Sequence, residues 1–254
     1  MIKKAFPIIE FDPSKDALIN PDHILRKHDK ISERLIVCFF IDAINALLKR
    51  GDIYLTDTLK GENHVEIYRF KDKDVTLVPG RLGAPACAGF LDDFIALGAK
   101  HIMFCGGGGV LRSDLTVGKF IVIDSAIRDE GMSYHYIKPS REINANPMIV
   151  KKITAYLDAN QFDYIVGKTW TTDAFYRETL ARINLRKEEG AIIVEMEQSA
   201  MIAVSEFRNV NYGAIIYGGD DVSKEKWDSR NWRDKTDIRL GLTELCLEIV
   251  QTFE

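Results

Sequence analysis

The chain has 254 residues, 46% of them hydrophobic, with a formal charge of −4 and a pI near 5.8. Basic and acidic side chains are interspersed, which excludes the basic stripe of a nucleic-acid binder, and no apolar run reaches the roughly 18 residues that a bilayer crossing needs. One large α/β domain spanning 1–254 would bury a substantial core at this length, and a small-molecule substrate suits the charge balance better than a polyanion.

The opening "MIKKAFPIIEFD" holds too few apolar residues for the core of a signal peptide, so a cytoplasmic protein is expected. "SERLIVCFFIDAINALLKRG" reads as one helix, capped by Ser32 and stopped by Gly51. "VEIYRF" and "DVTLVPG" flank a charged turn and predict a hairpin. A helix "ACAGFLDDFIALGAK" then leads into a buried strand, "HIMFCGGGG", and a second strand, "VGKFIVIDSAI". Pro147 opens the helix "NPMIVKKITAYLDANQ", followed by the strand "YIVGKTW". "AIIVEME" and "YGAIIYGGDD" are further buried strands around the helix "QSAMIAVSEF", and "TDIRLGLTELCLEIVQTF" is a C-terminal helix. Alternating strands and helices predict an α/β/α sandwich around a mixed, largely parallel sheet. Cys38, Cys87, Cys105 and Cys246 sit among apolar or small neighbours with no metal-ligand spacing, and are expected to be buried free thiols.

In such folds ligands gather at the carboxyl ends of strands. That directs attention to Glu195-Met196-Glu197 at the end of "AIIVEME". Extended geometry would point both glutamates one way and the thioether the other. A carboxylate suits the vicinal hydroxyls of a ribose, and methionine offers a polarizable face to the sugar. On spacing alone, solvated first-turn acids favoured by the helix dipole account for the pattern equally well.

"VEME" before a helix, together with "LGAPACAGFLDDFIALGAKHIMFCGGGGVL", "VGKFIVIDSAIRDEGMSYHY" and "TTDAFY", resembles the nucleoside phosphorylase family, which includes uridine phosphorylase, hexameric purine nucleoside phosphorylase and methylthioadenosine nucleosidase. The likeness runs from about Leu77 to Val222 with four motifs in order. It implies that Glu197 binds the ribose hydroxyls, with Met196 against the sugar and Glu195 beside it. Phe175 would line the base pocket, with Arg177 the nearest polar candidate, since the Gln of uracil-specific members is lacking. Asp221 of "GGDDVS" aligns best with the aspartate that protonates N7 of a departing purine, Asp220 being one residue away.

The phosphate cradle departs from the family. Phe104 stands where the strand arginine is kept, Gly107 where a hydroxyl residue is kept, and the early Gly-Asp-Pro-x-Arg survives only as "FDPSK", with Phe11 for Gly and Lys15 for Arg. The backbone of Gly106 and Gly107, with Arg81 and Lys15, is expected to replace the missing ligands. The resemblance implies purine nucleoside phosphorolysis by a homo-oligomer, with inorganic phosphate as co-substrate and no metal or organic cofactor. A nucleosidase (with Glu10 as a positional candidate for its base), a uridine phosphorylase and a non-catalytic nucleoside-binding relative are the alternatives. His135 suits either the ribose end or a structural role, whereas His23, His28, His64 and His101 pair with no nucleophile. "KEKWDSRNWRDK" suits a lid over the base or an oligomer contact.

Overall fold

The computed structural model describes residues 3–25, 31–60 and 64–254, so His28 lies outside the described residues. A short helix (α1, Pro21–Ile24) precedes a strand (β1, Arg34–Cys38) and a helix (α2, Ile41–Arg50). The single helix expected from Ser32 is therefore a strand in its first half. "RLIVC" is a continuous apolar run, which fits a strand buried on both faces as well as it fits a helix. Here it lies between two parallel neighbours, and the Ser32 hydroxyl donates to the Asp74 carbonyl instead of capping a helix. Gly51 does end α2, at φ +78°.

The hairpin strands follow as β3 (Val65–Phe70) and β4 (Thr76–Pro79), preceded by an unforeseen β2 (Ile53–Leu59). That strand is at the sheet edge, and in "IYLTDTL" the polar run Thr56-Asp57-Thr58 interrupts the apolar residues. The remaining elements are α3 (Ala84–Leu97), β5 (His101–Val110), β6 (Phe120–Asp129), β7 (Glu142–Asn144), α4 (Pro147–Ala159), β8 (Tyr164–Thr172), α5 (Leu180–Glu188), β9 (Ala191–Glu195), α6 (Gln198–Arg208), β10 (Asn211–Asp221) and α7 (Thr236–Val250). Of these, only β7 and α5 have no counterpart in the sequence reading.

The strands form one mixed sheet in the order β10-β6-β8-β9-β5-β1-β4-β3-β2, and β10 also pairs with β5. Five strands thus close on themselves, while β1, β4, β3 and β2 extend outward. Helices α3 and α6 cover one face, burying Leu91, Phe94 and Met201. Helices α2, α4 and α7 cover the other, burying Leu47, Ile153 and Ile249. Each such side chain contributes about 1.5–3 kcal/mol by leaving water. All four cysteines are free and buried, as expected.

Strand β5 creates the opening that the site occupies. One edge follows β10; the other pairs with β1 as far as Cys105 and with β9 from Gly109. Over 106–108 that second edge is open. Glycine is required there by close approach: a Cβ on Gly108 would meet the Val194 carbonyl at 2.6 Å, and one on Gly106 the Phe104 ring at 2.6 Å.

Candidate active site

The apolar run of β9 ends at Glu195, and the chain turns sharply into α6. The expected alternation of Glu195 and Glu197 is broken by that corner. Glu195 accepts hydrogen bonds from the hydroxyls of Thr169 and Thr171 and from the N–H groups of Glu197 and Gln198. Both its oxygens are occupied in fixing the strand-to-helix turn. Glu197 accepts the Gly83 N–H at 2.7 Å and keeps acceptor capacity for a ligand.

Glu195, Met196 and Glu197 all line a cleft of about 1110 Å³, with Gly107 on its floor and Phe40 and Leu82 on its walls. Burial raises both carboxyls above the ordinary glutamate range; repulsion from Glu195 raises Glu197 further, and hydrogen-bond donors oppose the rise at each. Two carboxyls this buried and this close hold a proton between them more readily than two charges.

A second cavity of about 580 Å³ adjoins the first, and Trp232 and Arg233 line both. Phe175 is on its wall beside Tyr176, with ring centroids 4.1 Å apart, and Trp227 faces the same space. Aromatic faces of this kind suit a flat heterocycle. Both tryptophans of "KEKWDSRNWRDK" line this cavity, Trp227 with 65% of its surface exposed. Asp220, Glu178 and Glu225 supply its carboxyl groups. Asp220 accepts the Trp227 indole N–H at 2.6 Å. Glu178 is pushed up to about 7 by burial and by the charge of Asp220, against the opposing pull of Arg182.

Asp221 does not face this space. Its fully buried carboxylate pairs with Arg230 at 2.7 Å and accepts the Ser223 N–H. Burial raises its pKa, but donors from Ser223, Arg230 and Lys224 more than reverse that and hold it at about 2. The acid expected at Asp221 is thus an ionised anchor. Successive residues on an extended strand point opposite ways, so Asp220 is the one that reaches the cavity.

The expected phosphate ligands are not assembled. Gly106 and Gly107 belong to a strand paired with β10, not to a concave turn, and only Gly107 lines the cleft. Arg81 donates to the His64 carbonyl and lies over the Phe90 ring. Lys15 donates to the Phe207 carbonyl and covers that ring at 3.7 Å, in a separate depression shared with His135. Arg177 lines neither cavity, and Glu10 accepts the Lys4 N–H. Phe104 is buried against Phe39, with centroids 5.0 Å apart. The cations that do line the cleft are Arg233, Lys235 and Arg239, of which Arg239 is paired with Asp42. Among the described residues no group of three or more His, Cys, Asp or Glu is arranged to hold a metal ion, and no helix is long and apolar enough to cross a membrane.

The sequence reading did not single out Glu178, and it took in Arg233 and Lys235 only as part of "KEKWDSRNWRDK". Glu178 had a usable signal, three residues after Phe175 in "FYRE", whereas the two cations are brought to the cleft only by the path of the loop between β10 and α7.

The chain is similar to several known proteins. A guanosine phosphorylase of Halorubrum lacusprofundi is 24% identical over 142 residues, 56% of this chain and 59% of that protein. The chain thus aligns with somewhat over half the length of that relative. A DeoD-type purine nucleoside phosphorylase of Bacillus cereus is 23% identical over 205 residues, 79% of this chain and 82% of the relative. The crystal structure of a uridine phosphorylase from Vibrio fischeri superposes with a TM-score of 0.72 at 22% identity, covering 93% of this chain and 98% of the other, which establishes the shared fold. The family model described as the phosphorylase superfamily matches residues 33–242. That span takes in both cavities and every strand of the sheet, and the chain belongs to the phosphorylase superfamily.

Proposed function

We propose that the protein cleaves the N-glycosidic bond of a purine nucleoside by phosphorolysis, releasing free base and ribose 1-phosphate. The observation that carries this reading is the junction of the cleft holding Glu197 with an aromatic, carboxyl-bearing cavity, along a wall shared by Trp232 and Arg233. A nucleoside laid across that wall has its ribose hydroxyls at Glu197, Met196 against the sugar, and its base between Phe175 and the tryptophans. The glycosidic bond then lies beside Arg233.

Bond cleavage develops positive charge at C1′ and negative charge on the base. A purine leaves readily only when protonated, which the acids of the base cavity would do. An anionic nucleophile would stabilise the C1′ cation. Arg233 and Lys235 support phosphate in that role, because neither has a carboxylate partner among the described residues and both line the cleft. They would stand in for the expected Arg81 and Lys15. No cofactor beyond phosphate is required by this scheme.

Hydrolysis is favoured by one specific observation: Phe104 and Phe39 pack an apolar wall where the resemblance implies an arginine. Chromatography of base released from adenosine, inosine, guanosine, methylthioadenosine and uridine, with and without phosphate, separates the two. Release that requires phosphate supports phosphorolysis; release without it overturns that acceptor in favour of water. Saturable binding with no product would overturn both and leave a nucleoside-binding relative. We further read the protein as a homo-oligomer, a reading supported by the exposed apolar residues Phe6, Leu18, Ile19 and Ile24, and tested by light scattering.

A further inference from the structure

We propose that Glu178 carries the proton delivered to the leaving base, with Asp220 as its neighbour in the same cavity. The inference rests on the reading of the two cavities as a nucleoside site. Both carboxyls line the cavity assigned to the base, Asp220 from the end of β10 and Glu178 from the turn before α5. Their partners differ. Asp220 accepts the Trp227 indole N–H at 2.6 Å. Glu178 accepts no hydrogen bond from any described residue, so nothing local stabilises its anion except the more distant Arg182 on α5.

The other charged groups on this cavity are Lys224 and Glu225, from the segment after β10, and Arg233. Lys224 is drawn to Asp221 at 3.3 Å, not to Glu178. Glu178 is thus a carboxyl without a local donor, and burial together with the neighbouring Asp220 charge favours its protonated form. The raised pKa of Glu178, about 7, is consistent with that preference.

The step balances simply. As the C1′–N9 bond breaks, its electron pair passes into the purine; N7 takes the Glu178 proton, leaving Glu178 a carboxylate, and the acceptor bonds to C1′. Glu178 regains a proton from solvent after the base leaves. Activity with an ordinary purine nucleoside is then present below about pH 7 and falls as Glu178 ionises.

The test compares guanosine with 7-methylguanosine, whose base already carries positive charge and leaves without protonation at N7. Glu178→Gln is expected to lose on the order of 10²–10³-fold in kcat/KM on guanosine, to lose the alkaline fall in its pH profile, and to keep 7-methylguanosine cleavage near the wild-type rate. Equal losses on both substrates would overturn the proposal, since a merely structural role affects both. Retention of guanosine activity with the alkaline fall intact would overturn it as well. If the wild-type protein cleaves 7-methylguanosine while Glu178→Gln is unimpaired on guanosine, the nucleoside reading stands and the role of Glu178 falls. If the wild type cleaves neither substrate, the site reading falls and this inference with it.

Discussion

The backbone N–H of Gly83 donates to Glu197 Oε1 at 2.7 Å, joining two residues 114 positions apart across the mouth of the cleft. Gly83 stands at φ +92°, a conformation that favours glycine, just before α3. The bond orients the carboxylate that we assign to the ribose.

Glu197→Gln should therefore separate stability from activity. Glutamine can still accept the Gly83 N–H, but it carries no buried charge beside Glu195. Burial and repulsion raise the Glu197 pKa in the fold, so its contribution to stability is complete below the ordinary glutamate pKa and is lost as pH rises through the raised value. We expect the variant to gain about 1 kcal/mol or more at pH 8, little at pH 5, and to lose about 10²-fold or more in kcat/KM. Urea unfolding at the two pH values and a base-release assay check this.

Asp221→Asn should behave as a mutation of the base-cavity wall and not as the loss of an acid. The Asp221–Arg230 pair, with the Asp221–Asp228 backbone bridge, ties down the segment that carries Trp227 and Trp232. Leaving the Arg230 charge without its partner should cost about 1–3 kcal/mol, less than a deeply buried pair because Arg230 is partly solvated. The expected outcome is a raised KM for nucleoside with the pH profile unchanged. A profile that loses its alkaline fall would restore Asp221 as the acid.

Two glycines should respond oppositely to alanine. At Gly108 a Cβ would meet the Val194 backbone carbonyl at 2.6 Å, where β5 passes from β1 to β9, so Gly108→Ala should destabilise by about 1–3 kcal/mol. At Gly89, within α3, a Cβ would meet nothing within 4 Å, so Gly89→Ala should stabilise by up to about 1 kcal/mol. Thermal unfolding of both variants measures the contrast.

If Arg233 and Lys235 hold phosphate, Arg233→Ala and Lys235→Ala should each raise the KM for phosphate about 10-fold or more, since charged hydrogen bonds contribute about 1.5–3 kcal/mol. Initial rates with phosphate varied at saturating nucleoside check this. An unchanged KM for phosphate in both variants would remove them from the phosphate site.

Most of the architecture was readable because its signals are local. Pro147 opens α4, Gly51 closes α2, and the β-rich runs of β6, β8 and β10 stand between turn residues, all within a few positions of one another in sequence. The failures were also physical. "RLIVC" joined to "FFIDAINALLKRG" looks like one helix because a strand buried on both faces has no period of its own. β2 went unrecognised because the polar run Thr56-Asp57-Thr58 interrupts its apolar residues, as an edge strand tolerates.

At the site, the sequence by itself determined the chemistry available: a Glu-Met-Glu strand end, an aromatic pair, two adjacent aspartates, and a glycine run where a phosphate ligand was expected. Which of these groups meet was decided by the tertiary structure alone. The corner after β9 occupies Glu195 with four donors and leaves Glu197 open; the strand alternation turns Asp220 inward and commits Asp221 to Arg230; Arg81 and Lys15 lie over aromatic rings away from the cleft. A residue's type sets which bonds it can make, but the donor or acceptor that takes them up is often a hundred residues away, and only the fold brings the two together.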